Sequence, residues 1–119
     1  MLIKNQHNCP ALTANDGCRL HELLHPKNDD IALTCSLALA EVEPHESSYQ
    51  HRMVQSEVYY VLSGRGLMHI DAQTQEVTAG DAVYIPGGAV QWIDNPGDEL
   101  LRFIAIVSPP WDAADDSRL

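Results

Sequence analysis

Basic side chains and long apolar runs are both scarce in this chain, and each shortage excludes a class of partner. Seven Lys and Arg residues stand against 17 Asp and Glu residues, which gives a formal charge of −10 at pH 7. Because so acidic a chain repels a phosphate backbone, we expect no nucleic-acid partner. No apolar run reaches the roughly 20 residues that a membrane-spanning helix needs, so we expect no membrane partner either.

Cysteine and targeting signals are also sparse. The three cysteines, Cys9, Cys18 and Cys35, are an odd number and lack the spacing of a metal site. The N-terminal residues 1–7 contain no basic region followed by an apolar stretch, so we expect a cytoplasmic protein. In that compartment the cysteines are predicted to be reduced thiols, with Cys35 as plain core.

What the chain does contain is alternation of apolar and polar residues with a period of two. Residues 31–40 alternate cleanly, which predicts a long strand. Its predicted core face is Ile31, Leu33, Cys35, Leu37 and Leu39, and its small-residue face is Ala32, Thr34, Ser36, Ala38 and Ala40. Residues 100–107 are nearly apolar on both faces, which implies that something covers the outer face; the two candidates are the N-terminal arm and a second subunit.

Turn signals divide the 119 residues into one domain with two extensions. Eight or so short strands, separated by turns at intervals of about ten residues, predict an antiparallel sandwich or barrel. We assign residues 15–110 to this β-barrel and residues 1–14 to an N-terminal arm. Residues 111–119 form an acidic C-terminal tail that we expect to be loose.

Two half-motifs between Gln50 and Asn95 are the most informative part of the chain. The first is His51-Arg52-Met53, then Glu57 and Gly64; the second is Gly80, Pro86-Gly87-Gly88, Gln91 and Asn95. Their spacing resembles the two signature motifs of the cupin superfamily, and the resemblance extends over roughly residues 17–110. It implies an all-β fold, the double-stranded β-helix or jelly-roll barrel.

The resemblance also implies a metal site. In the family pattern two histidines and one glutamate come from the first motif and a third histidine from the second. His51 and Glu57 match that pattern, whereas Met53 and Gln91 replace the other two histidines. The resemblance implies one divalent transition metal (Fe, Mn, Zn, Ni or Cu) held by His51 and Glu57, with Gln91 and Met53 completing the shell. Amide oxygen and thioether sulfur are much poorer donors than imidazole.

Strand geometry predicts that these side chains meet. Residues two and six positions apart point to one side of a strand, so His51, Met53, Glu57 and Tyr59 share a side. Gln91 is expected to enter from a facing strand. Glu57 is the candidate catalytic acid or base, because desolvation raises the pKa of a carboxyl group that has no cation beside it. Tyr59 is the second catalytic candidate, since it offers a hydroxyl to the same pocket.

Two functions remain open at this level, because the cupin fold does not select a reaction. The first is a small metal-dependent enzyme of the dioxygenase, isomerase or cyclase type, acting on a small-molecule ligand in the barrel interior. The alternative is a metal-free barrel that binds a small organic ligand or serves as a structural dimer without catalytic activity. A homodimer is expected in either case, from the apolar last strand and the small-residue face of residues 31–40.

The remaining histidines receive weaker assignments. Residues 21–25, His-Glu-Leu-Leu-His, match a zinc-metalloprotease pattern that works only on a helix. Pro26 follows at once, and on a strand the two histidines would lie about 13 Å apart, so a metalloprotease is not expected. His69 alternates to the outer face. His45 stands where the first motif usually has glycine, and the sequence leaves open whether it joins the site.

Overall fold

Eleven β-strands and two single-turn 3-10 helices follow one another along residues 1–119, all of which the computed structural model describes. The strands are β1 (Ala11–Thr13), β2 (Arg19–Leu24), β3 (Ser36–Val42), β4 (His51–Met53), β5 (Ser56–Ser63), β6 (Arg65–Ile70), β7 (Gln73–Thr78), β8 (Ala82–Ile85), β9 (Val90–Asp94), β10 (Leu101–Ser108) and β11 (Asp116–Arg118). The 3-10 helices are Gln6–Asn8 and Ala113–Asp115. Neither has the length or apolarity that crossing a membrane requires.

The strands form two antiparallel sheets that enclose the core. One sheet has six strands in the order β1-β2-β3-β10-β5-β8, and the other has five in the order β11-β4-β9-β6-β7. The core cluster draws side chains from both sheets, including Val61 and Phe103 from the first and Met68 and Ile93 from the second. This confirms the all-β jelly-roll barrel that the motifs predicted.

Strand β10 is the nearly apolar strand whose outer face was predicted to be covered. Leu101, Phe103, Ala105 and Val107 are buried and face the interior, whereas the residues between them are half-buried on the outer face. The N-terminal arm packs on that outer side. The Gln6 side-chain oxygen accepts a hydrogen bond from Arg102 Nη2 at 3.1 Å, and the Cys9 carbonyl oxygen lies 2.9 Å from His21 Nδ1. The arm is therefore at least part of the predicted cover.

The prediction for residues 31–40 is wrong in both extent and orientation. Strand β3 begins only at Ser36, and Cys35 is half-buried outside it, so Cys35 is not a core residue. The small side chains Ser36, Ala38 and Ala40 face the barrel interior, whereas Leu39 pairs with Ile104 on the outer face. Leu39 is only 1% exposed there. Because both faces of β3 are covered, apolar character could not identify the inner one.

The expectation of a loose tail is also wrong. Residues 116–118 form β11, which pairs with β4 so that Asp116 lies opposite Met53. The Trp111 backbone N–H donates to Ser36 Oγ at 2.9 Å, and its indole N–H donates to Asp116 Oδ2 at 3.0 Å. At the other end of the chain, β1 pairs with β2. Parts of both the arm and the tail therefore belong to the two sheets.

The homodimer stays a prediction, and one of its two arguments changes. The small-residue face looks into the barrel, so it offers nothing to a second subunit. The outer face of the six-stranded sheet does expose Tyr60, Leu62 and Tyr84.

Asn95 ties the end of β9 to two neighbouring segments. Its side chain is 2% exposed, donates to the carbonyl oxygens of Val42 and Glu99 at 2.9 and 2.8 Å, and accepts from the Gly97 N–H at 3.0 Å. We expect Asn95→Ala to lower the free energy of unfolding by about 2–4 kcal/mol, because three backbone groups lose their partner.

Urea denaturation measures this effect of Asn95→Ala. Asn8→Ala is the control, since Asn8 is exposed. Equal stability of the two variants would contradict the bridging role of Asn95.

Candidate ligand-binding site

A cavity of about 120 Å³ lies between the two sheets near the arm and the tail. Its apolar wall comes mainly from β2, β3 and β10. That wall includes Leu20, Ala38, Ala40, Phe103, Ala105 and Val107. Its polar side chains include Asp16, Glu22, His25, His51, Glu57, Tyr59 and Asp116. A mostly apolar cavity with a few convergent polar groups is the usual form of a small-molecule site.

The structure brings the five predicted site residues close together, and four of them line this cavity. His51, Met53, Glu57 and Tyr59 all line it, and each is at most 7% exposed. Gln91 lies directly opposite His51 in the β4–β9 pair and is 1% exposed. The Tyr59 hydroxyl donates to Gln91 Oε1 at 3.3 Å. The prediction that one strand carries the first four residues is wrong: His51 and Met53 lie on β4 of the five-stranded sheet, and Glu57 and Tyr59 on β5 of the six-stranded sheet. Gln91 lies beside His51 in the same sheet and faces Tyr59. The catalytic and metal-binding roles of all five stay predictions.

Glu57 has an unusual environment for a carboxyl group. Burial, followed by the nearby carboxylates Asp16 and Asp116, raises the pKa of Glu57 to about 8. The neighbouring polar side chains of Gln91 and Tyr59 oppose this rise only in part. One carboxyl oxygen, Oε1, is buried and has no hydrogen-bond partner. Glu57 therefore retains its proton at neutral pH and presents an unused polar atom to the interior.

His51 is oriented by the backbone of the segment that precedes it. Its Nδ1 atom lies 3.2 Å from the Tyr49 carbonyl oxygen, which only accepts hydrogen bonds. Nδ1 must therefore carry the hydrogen, and in the neutral ring Nε2 is left with a free lone pair. Metal-binding histidines are commonly oriented in this way by a backbone carbonyl.

The complete donor set nevertheless does not fit a firmly held divalent metal. The structure contains no group of three or more His, Cys, Asp or Glu side chains placed to hold an ion. Only His51 and Glu57 are strong donors at the motif positions. The Gln91 oxygen already accepts the Tyr59 hydroxyl, and Met53 offers a thioether. Zinc sites normally use at least three strong protein donors.

Asp16 and Asp116 are acidic lining residues that the sequence motifs missed. Asp116 comes from the tail, its Oδ2 accepts the Trp111 indole N–H, and its Oδ1 is buried without a partner. No spacing rule connects it to the two motifs. The available signal was Trp111 itself, because a large aromatic residue beside an acidic segment indicates a segment that docks rather than one that moves freely.

Two of the remaining histidines lie outside the cavity. His45 is exposed, with φ of 62°, and its Nε2 lies 2.8 Å from Asp98 Oδ1, so it does not join the site. His69 lies on the outer side of β6, where it stacks on Trp92 and contacts Asp94 Oδ2 at 2.6 Å. This is the outer position predicted for His69.

The metalloprotease-like segment lies largely on strand β2, so its two histidines do not share a helical face. His25 does line the cavity, but both of its ring nitrogens have backbone partners. Nε2 lies 2.7 Å from the Trp111 carbonyl oxygen, and Nδ1 accepts the Lys27 backbone N–H at 3.0 Å.

Two relatives match most of the chain. An uncharacterized protein of Methanocaldococcus jannaschii is 39% identical over 107 residues, which are 89% of this chain and 84% of the relative. An uncharacterized protein of Streptomyces coelicolor is 31% identical over 97 residues, 82% of this chain and 85% of the relative. A dimethylsulfoniopropionate lyase of Ruegeria pomeroyi is 42% identical over 67 residues, 56% of this chain and 43% of the lyase.

Solved structures of other proteins have the same fold. A Cupin 2 conserved barrel domain protein from Salinispora arenicola superimposes with a TM-score of 0.77 at 26% identity, over 96% of this chain and 91% of that one. A mutant of Bacillus subtilis oxalate decarboxylase gives 0.82 at 25% identity, over 96% of this chain but 31% of that one. The sequence model of the family described as "Cupin domain" matches residues 38–107, more than half of the 119 residues. On motif, fold and family match together, the chain belongs to the cupin superfamily.

Proposed function

We propose that this cupin binds a small organic molecule in its interior cavity and does so without a tightly held metal. The observation that carries the proposal is Glu57 Oε1, which is buried beside the cavity and has no hydrogen-bond partner. An unsatisfied buried polar atom costs about 1–3 kcal/mol. A ligand that donates a hydrogen bond to this oxygen recovers that free energy on binding.

The size of the cavity sets the size of the ligand. An apolar cavity of about 150 Å³ holds a benzene ring, and the cavity here is about 120 Å³. A ligand with a short aliphatic or small cyclic body therefore fits between Ala38, Ala105 and Phe103, with its polar end towards Glu57.

Glu57 also supplies proton-transfer chemistry. The pKa of Glu57, about 8, leaves the carboxyl group protonated at neutral pH. Burial and the nearby Glu57 raise the pKa of Tyr59 well above its usual value, so its hydroxyl stays a donor. In this proposal Glu57 contacts the ligand and can transfer its proton to a basic atom of it, whereas Tyr59 contacts the ligand through its ring, because its hydroxyl donates to Gln91.

A second candidate is a metal-dependent enzyme of the dioxygenase, isomerase or cyclase type. The orientation of His51 by the Tyr49 carbonyl favours it. Similar proteins also favour it, because one solved structure of Bacillus subtilis oxalate decarboxylase is described by its Mn(II) centers. In that function His51 and Glu57 would hold the metal, aided by Gln91 and Met53. The weak donor set places this candidate second.

The proposed function predicts that ligand binding is lost when the cavity is filled. Ala38→Phe places a ring in the cavity, because Ala38 lines it and lies opposite Ala105. The matched control is Ala82→Phe on β8, where the side chain is exposed. Wild type and both variants are screened by thermal shift, in chelator, against neutral, anionic and cationic molecules of about benzene size.

We expect one or more compounds to raise the melting temperature of wild type and of Ala82→Phe but not of Ala38→Phe. Compounds that stabilise all three proteins equally bind elsewhere. If every compound shifted the melting temperature of the folded Ala38→Phe variant and of wild type equally, the proposal of an interior binding site would be wrong.

A further inference from the structure

We infer that the cavity is built for a small organic cation, an alkylammonium ion with a short apolar body. The inference rests on the proposed function and names the ligand class of that site. It stands on the charges that line the cavity and on two buried oxygens without partners.

The charges around the cavity are of one sign. The carboxyl groups of Asp16, Glu22, Glu57 and Asp116 line it, and no Lys or Arg side chain does. Glu22 is neutralised from outside, because Lys27 Nζ lies 3.2 Å from it. The other three have no ion-pair partner. Because Glu57 keeps its proton at neutral pH, a positive charge in the cavity is attracted by the two carboxylates of Asp16 and Asp116, and a negative charge meets no cationic side chain of Lys or Arg.

The buried oxygens without hydrogen-bond partners also favour a cationic ligand. Glu57 Oε1 and Asp116 Oδ1 are buried, both side chains line the cavity, and neither oxygen has a partner. Glu57 is only 7% exposed, so bulk water reaches it poorly. An alkylammonium group brings three N–H donors and a charge to these oxygens. A carboxylate ligand would place further acceptors against them.

The rest of the lining suits the body of such a ligand. Phe103, Ala105 and Val107 supply apolar surface, and the rings of Tyr59 and Trp111 also line the cavity. Aromatic faces attract organic cations in desolvated sites. This ligand class differs from oxalate, after which the similar Bacillus subtilis decarboxylase is named, since oxalate is a dianion.

Three probes of similar size separate charge from shape: n-butylamine, 1-butanol and propionate. Binding to the full chain is measured by ligand-observed NMR and thermal shift, near neutral pH, in chelator and at constant ionic strength. We expect n-butylammonium to bind at least about tenfold more tightly than 1-butanol, because the carboxylates of Asp16 and Asp116 act on its charge in a partly buried site. Propionate is expected not to bind.

Two substitutions locate the binding. Asp116→Asn keeps the shape and the Trp111 contact but removes one charge, and should weaken n-butylammonium binding on the order of tenfold while leaving 1-butanol unchanged. Asp16→Asn makes the same test independently if Asp116→Asn fails to fold. Glu99→Gln is the control, because Glu99 is exposed and does not line the cavity.

The outcomes distinguish this inference from the proposed function. Propionate binding as tightly as n-butylammonium, or affinities unchanged in both folded Asp→Asn variants, would overturn the cation inference while leaving an interior ligand site intact. Failure of all three probes also overturns it. The proposed function falls as well only if the wider screen with Ala38→Phe finds no interior ligand.

Discussion

The double substitution Met53→His and Gln91→His is expected to convert the barrel interior into a site that binds one divalent metal per chain. The two positions already flank His51, Met53 two residues along β4 and Gln91 directly opposite in β9. All three side chains are buried. With Glu57, the variant presents three imidazoles and one carboxylate, a set that suits first-row divalent metals.

The size of the effect follows from the donors exchanged. Wild type offers two strong donors at these positions, and the variant offers four. We expect affinity for zinc or manganese to increase on the order of 100-fold or more, since loss of even an outer partner of a metal ligand costs about 10–100-fold. The variant should also become more stable in the presence of metal and lose that gain in chelator, because only the folded chain brings the ligands together.

Elemental mass spectrometry of untagged protein after equilibrium dialysis measures this directly. The control is the same double variant with His51→Ala added, which should lose most of its metal. If wild type itself retained one metal per chain through the dialysis, the argument from its donor set would be wrong. The metal-dependent enzyme would then be the better of the two functions.

The convergence of the site was predictable because it depends on two local rules. Alternation places His51 and Met53 on the inner face of β4, and Glu57 and Tyr59 on the inner face of β5. The pair of β4 with β9 puts Gln91 beside His51. That β4 and β5 belong to different sheets was not predicted, because the motif alone indicates a single strand. Both rules operate within segments whose strand character is clear from the sequence. The resemblance to the cupin motifs then supplied the closure of the barrel, which no local pattern specifies.

The orientation of β3 was not predictable for a different physical reason. Leu37 and Leu39 were assigned to the core because they are larger and more apolar than Ala38 and Ala40. The arm and the neighbouring strands cover the outer face, so large side chains are buried there. Alanines face inward, where they leave space for the cavity. The cavity exists because the inward-facing side chains are small. The alternation of apolar and polar residues does not indicate which face of a strand carries the smaller side chains.

The position of Asp116 could not be predicted, because β11 is held in place by backbone pairing with β4 and by contacts that residues near it make with distant segments. Residues 116–118 are Asp, Ser and Arg, none of which favours a strand. Their position follows from the pair with β4, from the docking of Trp111 and from Arg118 lying 3.5 Å from the centre of the Tyr49 ring. These are contacts between distant segments, and they add the carboxyl group on which the inferred cation site depends.

Glu57→Gln is expected to make the protein more stable than wild type at neutral and alkaline pH and to leave stability nearly unchanged below about pH 4.5. The pKa of Glu57 is about 8 in the folded chain, against an ordinary value of 4.5, chiefly because burial disfavours the charged form. The folded state therefore holds this proton more firmly than the unfolded state. Below pH 4.5 Glu57 is protonated in both the folded and the unfolded state, so wild type keeps the full stability that this group contributes. Wild type loses that stability as the pH rises from 4.5 to 8, because the unfolded state releases this proton first.

The expected change in the free energy of unfolding is large for one side chain. Each unit of pKa difference corresponds to about 1.4 kcal/mol, so wild type should lose roughly 3 kcal/mol of stability from this group between pH 4.5 and neutrality. Glutamine has nearly the same shape and no proton to lose. The difference in unfolding free energy between Glu57→Gln and wild type should therefore grow steadily across that range and level off above about pH 8.

Urea denaturation of both proteins in chelator, at several pH values across this window, isolates the effect because other titrating groups cancel in the difference. Glu99→Gln is the matched control, since Glu99 is exposed and its substitution should give a difference that does not vary with pH. Parallel curves for Glu57→Gln and wild type would mean that Glu57 ionises normally inside the barrel. A normal pKa in a buried site requires a compensating positive charge or hydrogen bonds to the carboxylate, so that outcome would contradict the description of Glu57 as a carboxyl group without partners.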